Sequence, residues 1–199
     1  MDANIRITDD EIRVIENSDF FIAKNKVSTK IKLLFGLLRD VLKQEIEKHP
    51  DLFPAEIYIE TGRVFQGENY KLFPYILLDY PKLFSTTSVL TFRTMFWWGH
   101  CFSFTLHLEG NSLDLFRGNL VKNSQELYGK GFYFCIHQSP WQYHFDEDNY
   151  LPIEQISELE TQIKTRKFVK LSRKLDLRQW PEIQPFALDS FKFLLKILE

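Results

Sequence analysis

RTMFWWGHCFSFTLHLEG, running from Arg93 to Gly110, is the stretch whose reading decides the fold. From His100 onward it alternates with period two. His100, Phe102, Phe104, Leu106 and Leu108 fall on one side; Cys101, Ser103, Thr105, His107 and Glu109 fall on the other. Successive strand side chains point to opposite faces, so the pattern predicts a β-strand with one apolar and one polar face. Its aromatic content and length place it in the middle of a sheet. A bulge is expected at Gly99, inside one long strand that follows a helical turn near Thr86. Val89, Phe92 and Phe96 also fit a helix ending at Gly99, so residues 86–98 remain open between strand and helix.

Before this strand, Ile31, Leu34, Phe35, Leu38, Val41, Leu42 and Ile46 recur at three- and four-residue steps. They predict a long amphipathic helix, N-capped by Ser28 and closed by His49-Pro50. Residues 1–26 mix apolar clusters with charge and are expected to form a packed arm or short helix. Alternation predicts strands over Glu56–Thr61 and Tyr75–Tyr80, with a loop between Gly62 and Gly67. Beyond the central strand, Leu113, Phe116, Leu120 and Leu127 mark a helix. Gly131–His137 and Gln142–Phe145 alternate as strands. A helix is expected from Pro152 to Arg166, a basic connection over 167–181, and a closing helix from Glu182 to Leu198. The order of elements predicts one α+β domain over residues 1–199, with residues 1–26 as an N-terminal arm. Its expected architecture is a largely antiparallel sheet of about five strands with amphipathic helices packed on one face.

The 199 residues fit one domain, and 44% hydrophobic content is enough for a sizeable core. A net charge of −2 with dispersed basic residues leaves no electrostatic footprint for nucleic acid. The acidic start lacks the basic-then-apolar pattern of a signal peptide, and no apolar run approaches the ~18 residues of a membrane helix. A cytoplasmic protein with Cys101 and Cys135 as reduced thiols is therefore expected.

Tyr70-Lys71-Leu72-Phe73-Pro74-Tyr75, followed by an alternating strand and an aromatic strand, resembles the uncharacterised bacterial YktB-like family. GFYFCIHQSPWQYHF (Gly131–Phe145), then Pro152 and a helix, resembles a second family of the same broad fold group. The resemblance covers roughly residues 55–165. It implies a meandering α/β fold and carries no catalytic motif across.

Among chemistry-bearing patterns there is no Walker loop, GxGxxG, HExxH, GxSxG or CxxC. The polar side of the central strand is what remains. If Gly131–His137 lies beside it, Ser103, His107, Glu109, Tyr133 and His137 share a face with both cysteines. His107 and Glu109 are then about 7 Å apart along the strand. Arg93 and Arg63 are candidates for an anionic ligand, with a structural ion pair as the plainer reading of each. Half-buried hydrogen-bonding is likewise the plainer reading of the sheet face. His100, on the apolar side, is expected in the core. His144 with Asp146 and Asp148 reads as an exposed turn with poor ligand geometry, ranked below the sheet face. No metal or cofactor is expected. The function read from this is a non-catalytic domain that binds a small molecule or a partner protein through the polar face. The alternative is a small hydrolase- or transferase-like enzyme using His107, His137 and Glu109.

Overall fold

The computed structural model describes residues 5–57, 59–60 and 62–199, and at Arg63 the backbone alone. Its centre is a hairpin. Strand β3 (Ser88–Trp97) turns at Gly99, φ +73°, into β4 (Cys101–Gly110), pairing Trp97 with Cys101 and Ser88 with Gly110. A left-handed backbone angle is cheap only for glycine, so Gly99 reverses the chain where a bulge was expected. The expected helical turn and the helix alternative over 86–98 give way to strand. The reason is that the stretch pairs with β2 on one side and β4 on the other, which buries Val89, Leu90, Phe92, Met95 and Phe96. His100 lands in the exposed turn, stacked 3.5 Å from the Trp97 ring, and not in the core.

The remaining strands are β1 (Arg63–Tyr70), β2 (Phe73–Phe84), β5 (Tyr133–Cys135), β6 (Tyr150–Pro152) and β7 (Phe168–Asp176). Every pairing is antiparallel, in the order β1-β2-β3-β4-β7-β5-β6. The described residues thus form seven strands where about five were expected, and β4 is the middle one. Two of the additional strands come from stretches read as connections. Arg63–Tyr70 pairs β2 despite Gly67. Phe168–Asp176 alternates Val169, Leu171 and Leu175 with Lys170, Ser172 and Lys174, a strand pattern hidden by its basic residues. Because β7 inserts between β4 and β5, the stretch Gly131–His137 does not lie beside the central strand. The strand expected over 56–61 is absent at the described residues there, which are turn and irregular chain; Tyr58 and Thr61 lie outside the described residues.

Helices cover one face. Helix α2 (Ser18–Ile46) starts ten residues before the expected cap: Asn17 caps it, and Ser28 is buried within it. Its stripe Ile31, Phe35, Leu38, Leu42 joins Phe92, Phe102, Phe104 and Leu108 in one core. Helices α3 (Asn111–Lys122), α4 (Leu159–Thr165) and α5 (Ile183–Leu198) add Leu113, Ile163 and Phe191 to it. Ahead of this body, α1 (Asp9–Glu16) closes a capping box between Thr8 and Glu11 and buries none of its residues. Among the described residues no helix is long and apolar enough to cross a membrane.

Candidate functional site

The polar face of the sheet is not open. The chain from Ile136 to Asn149 crosses it as a strap, and its alternation is real even though it pairs with no strand. Trp141 meets the His107 ring edge-on at 5.5 Å. Tyr143 sits under the Arg93 guanidinium at 4.7 Å, and Phe145 stacks on Tyr150 at 4.9 Å. Side chains satisfy the strap's backbone in place of a neighbouring strand. The Lys170 ammonium donates to Pro140 O at 2.9 Å and also to Gln142 O. The Tyr70 hydroxyl oxygen accepts from the N–H groups of Tyr143 (2.6 Å) and His144 (3.1 Å). That is why Gln142–Phe145, read as a strand, forms none.

Beneath the strap lies a buried polar layer. Lys170 stands opposite His107 in the β4–β7 register and is 0% exposed, its Nζ 3.9 Å from the Tyr143 ring centre. Burial lowers its pKa to about 7, with Cys135 opposing and the Arg93 charge adding to the shift. The two carbonyls and the ring face favour the ammonium form, so the hydrogen bonds pull against burial. Arg93 forks onto Asp79 at 2.7 and 2.8 Å, both side chains nearly enclosed. Burial is the largest influence and opposes the charge of Arg93, but the Asp79 hydrogen bonds together with the charges of Tyr143, Asp79 and Tyr75 leave the pKa above its ordinary value. Arg93 is therefore committed to a structural pair and not to an anionic ligand. The Arg63 side chain lies outside the described residues.

His107 is 0% exposed, and neither ring nitrogen has a hydrogen-bond partner among the described residues; Nε2 approaches Glu109 Oε2 at 3.5 Å. Burial, then the charges of Lys170 and Arg93, drive its pKa down to about 3. It is a neutral imidazole under Trp141 and Phe168, and no base reaching solvent. His137 accepts the Ser139 N–H on Nδ1 at 2.9 Å and so braces the start of the strap. Tyr133 lies edge-on to Phe145 at 5.1 Å, and Ser103 is buried opposite Lys174. Both thiols are free. Burial raises the Cys101 pKa to about 11, and it raises Cys135, whose Sγ donates to Asn149 Oδ1 at 3.4 Å. Neither is activated as a nucleophile.

Of the expected residues, Glu109 and His137 do come together, lining a cavity of about 480 Å³ with Gln138, Pro140, Gln162 and Arg166. His107, Ser103, Tyr133 and Arg93 do not line it. A second cleft, of about 420 Å³, opens at the other end of the strap between Trp97, His100, Phe145 and Lys174. Sequence reasoning missed Lys170 and Asp79. The alternation of β7 puts Lys170 on the polar face, a signal its basic neighbours hid, whereas nothing local marked Asp79 as the partner of Arg93. No protein-family model, curated protein or solved structure matches the chain.

Proposed function

We propose that the protein is a non-catalytic interaction domain that joins to a second copy of itself through its N-terminal helical arm. The observation that carries this reading is the arm's exposure. α1 buries nothing, yet Ile12, Val14 and Ile15 on it, Ile5 and Ile7 before it, and Phe20, Phe21 and Ile22 at the start of α2 are all exposed. Ile5, Ile7, Val14 and Ile15 line one shallow hollow of about 510 Å³. Such side chains contribute about 1.5–3 kcal/mol each when fully buried. An isolated helix shorter than ~12–15 residues is marginal in water, so an eight-residue α1 calls for a covering surface. A contiguous apolar patch of this kind marks an interaction site.

Charge favours a second copy as the occupant. α1 carries Asp9, Asp10, Glu11 and Glu16 against one Arg13, while the next turns of α2 carry Lys24, Lys26, Lys30 and Lys32. Two arms placed antiparallel about a two-fold axis set each acidic segment on the other's basic segment. The polar layer supports the non-catalytic part of the reading, because Lys170, Arg93 and Asp79 are enclosed and held by structural contacts and His107 is enclosed. Sedimentation equilibrium is expected to give a dimer for the full chain and a monomer for I15D/F21D. A wild type that stays monomeric over the whole concentration range overturns the reading.

A second reading is favoured by Glu109 and His137 sharing a cavity: a small polar ligand bound there. A ligand-induced melting shift in wild type that survives H137Q and E109Q would exclude that cavity.

A further inference from the structure

The turn after the strap holds a side-chain cluster that the interaction reading does not use. His144 Nδ1 lies 3.0 Å from Asp146 Oδ2 and 3.7 Å from Asp148 Oδ1, and the three ligand atoms are all within 4.8 Å of one another. The two carboxylates are exposed, but His144 is not: it is 2% exposed, and its Nδ1 is buried without a hydrogen bond to any described group. The short approach to Asp146 therefore lacks hydrogen-bond geometry. The expectation of an exposed turn holds for the two carboxylates and not for His144. A buried imidazole nitrogen without a hydrogen bond, 3.0 and 3.7 Å from two carboxylate oxygens, leaves a position that a cation satisfies.

The dimensions suit a metal ion. With bonds of about 2.0–2.2 Å, neighbouring donors in a tetrahedral or octahedral shell stand roughly 3.0–3.5 Å apart. The histidine backbone is held in place: its N–H donates to the Tyr70 hydroxyl, and its carbonyl accepts from Asn149 Nδ2 at 2.5 Å. Lys71 Nζ, 3.1 Å from Asp146 Oδ2, supplies the present countercharge and competes for the same oxygen. An imidazole with two carboxylates suits Zn²⁺ or Mn²⁺ better than Ca²⁺, which takes oxygen donors alone.

We propose that His144, Asp146 and Asp148 bind one divalent transition-metal ion through Nδ1 and two carboxylate oxygens. Asp146 also lines the 420 Å³ cleft, so the ion sits at its rim with its remaining positions open to solvent.

Chelator-treated full-length protein, titrated with Zn²⁺ by calorimetry and with Co²⁺ by absorption, tests this. The expected result is one equivalent bound, with Co²⁺ d–d bands and no thiolate charge-transfer band. D146N and D148N, both at exposed carboxylates and checked for folding by circular dichroism, are expected to weaken binding by more than about tenfold. K71M is expected to strengthen it by removing the competing ammonium. No saturable binding, or affinity unchanged in D146N/D148N, overturns the proposal. So does a thiolate charge-transfer band, which would place the ion on a cysteine.

Discussion

His107 is the residue whose titration leaves the clearest trace in solution. Its native pKa of about 3 lies far below the ordinary histidine value of 6.5, so below pH 6.5 the unfolded chain takes up a proton that the folded chain refuses. Stability from this residue is complete above pH 6.5, falls as pH drops, and levels off near pH 3. Between pH 7 and pH 4 the loss is expected to be about 3 kcal/mol, at roughly 1.4 kcal/mol per unit. Denaturant titrations of wild type and H107F should show this loss in wild type and its absence in the variant; equal pH slopes would sink the assignment. Lys170 is the strap's fastening. Its replacement by Met orphans the carbonyls of Pro140 and Gln142. The expected cost is about 2–4 kcal/mol, each stranded buried acceptor contributing about 1–3. Hydrogen exchange at the Tyr143 and His144 amides is expected to accelerate, because the strap that holds them against Tyr70 is released.

At the level of elements, β4 carries the fold on both faces. Phe104 is fully buried on its helix side, 5.5 Å from the ring of Phe186. Phe104→Ala is expected to cost about 3–5 kcal/mol in chemical denaturation, the range for truncating a buried aromatic. A loss below about 1 kcal/mol would mean that the two faces are inverted. Where β4 passes into α3, Gly110 has φ +60°, ψ −137°, and an added Cβ would stand 2.0 Å from the carbonyl oxygen of Thr87. Gly110→Ala therefore combines a glycine-only backbone with a backbone clash, and about 3 kcal/mol or more is expected. Gly129, also left-handed at φ +70° but with open space around it, is the control. Its alanine variant is expected to lose only about 1–2 kcal/mol.

For the molecule as a whole, α1 contributes no buried residue to the body. The apolar stripe of α2 that packs Ile31, Phe35 and Leu38 onto the sheet continues toward the N-terminus through Phe20 and Phe21, where it overhangs. The salt bridge from Lys24 to Glu68 of β1, at 2.7 Å, stands where the overhang meets the body. Deleting residues 1–22 is thus expected to leave the unfolding midpoint of the monomeric body nearly unchanged while abolishing self-association in sedimentation. A large drop in the midpoint at protein concentrations where wild type is monomeric would show that the arm packs on its own body.

The α+β class, the middle position of Cys101–Gly110 and the apolar side of that strand were legible in the order of residues alone. It also marked the amphipathic stripes of the long, third and closing helices. These are local periodicities, set by how side chains project from a helix or strand, and they survive whatever the neighbours are. The number and order of strands were beyond local pattern. Phe168–Asp176 reads as a basic connection until it is seen filling the place between β4 and β5. Gly99 reads as a bulge, or as the end of a helix, until Trp97 meets Cys101 across it. The candidate site shows the same division. His107 and Glu109 were legible as neighbours on one face, and Glu109 and His137 do share a cavity. Only the tertiary structure decided that a strap covers that face and that Lys170 and Tyr70 satisfy its backbone. It alone buried His144 against two exposed carboxylates. Each of these depends on contacts between segments tens of residues apart, where the energy lies in desolvation and in partners that no local spacing specifies.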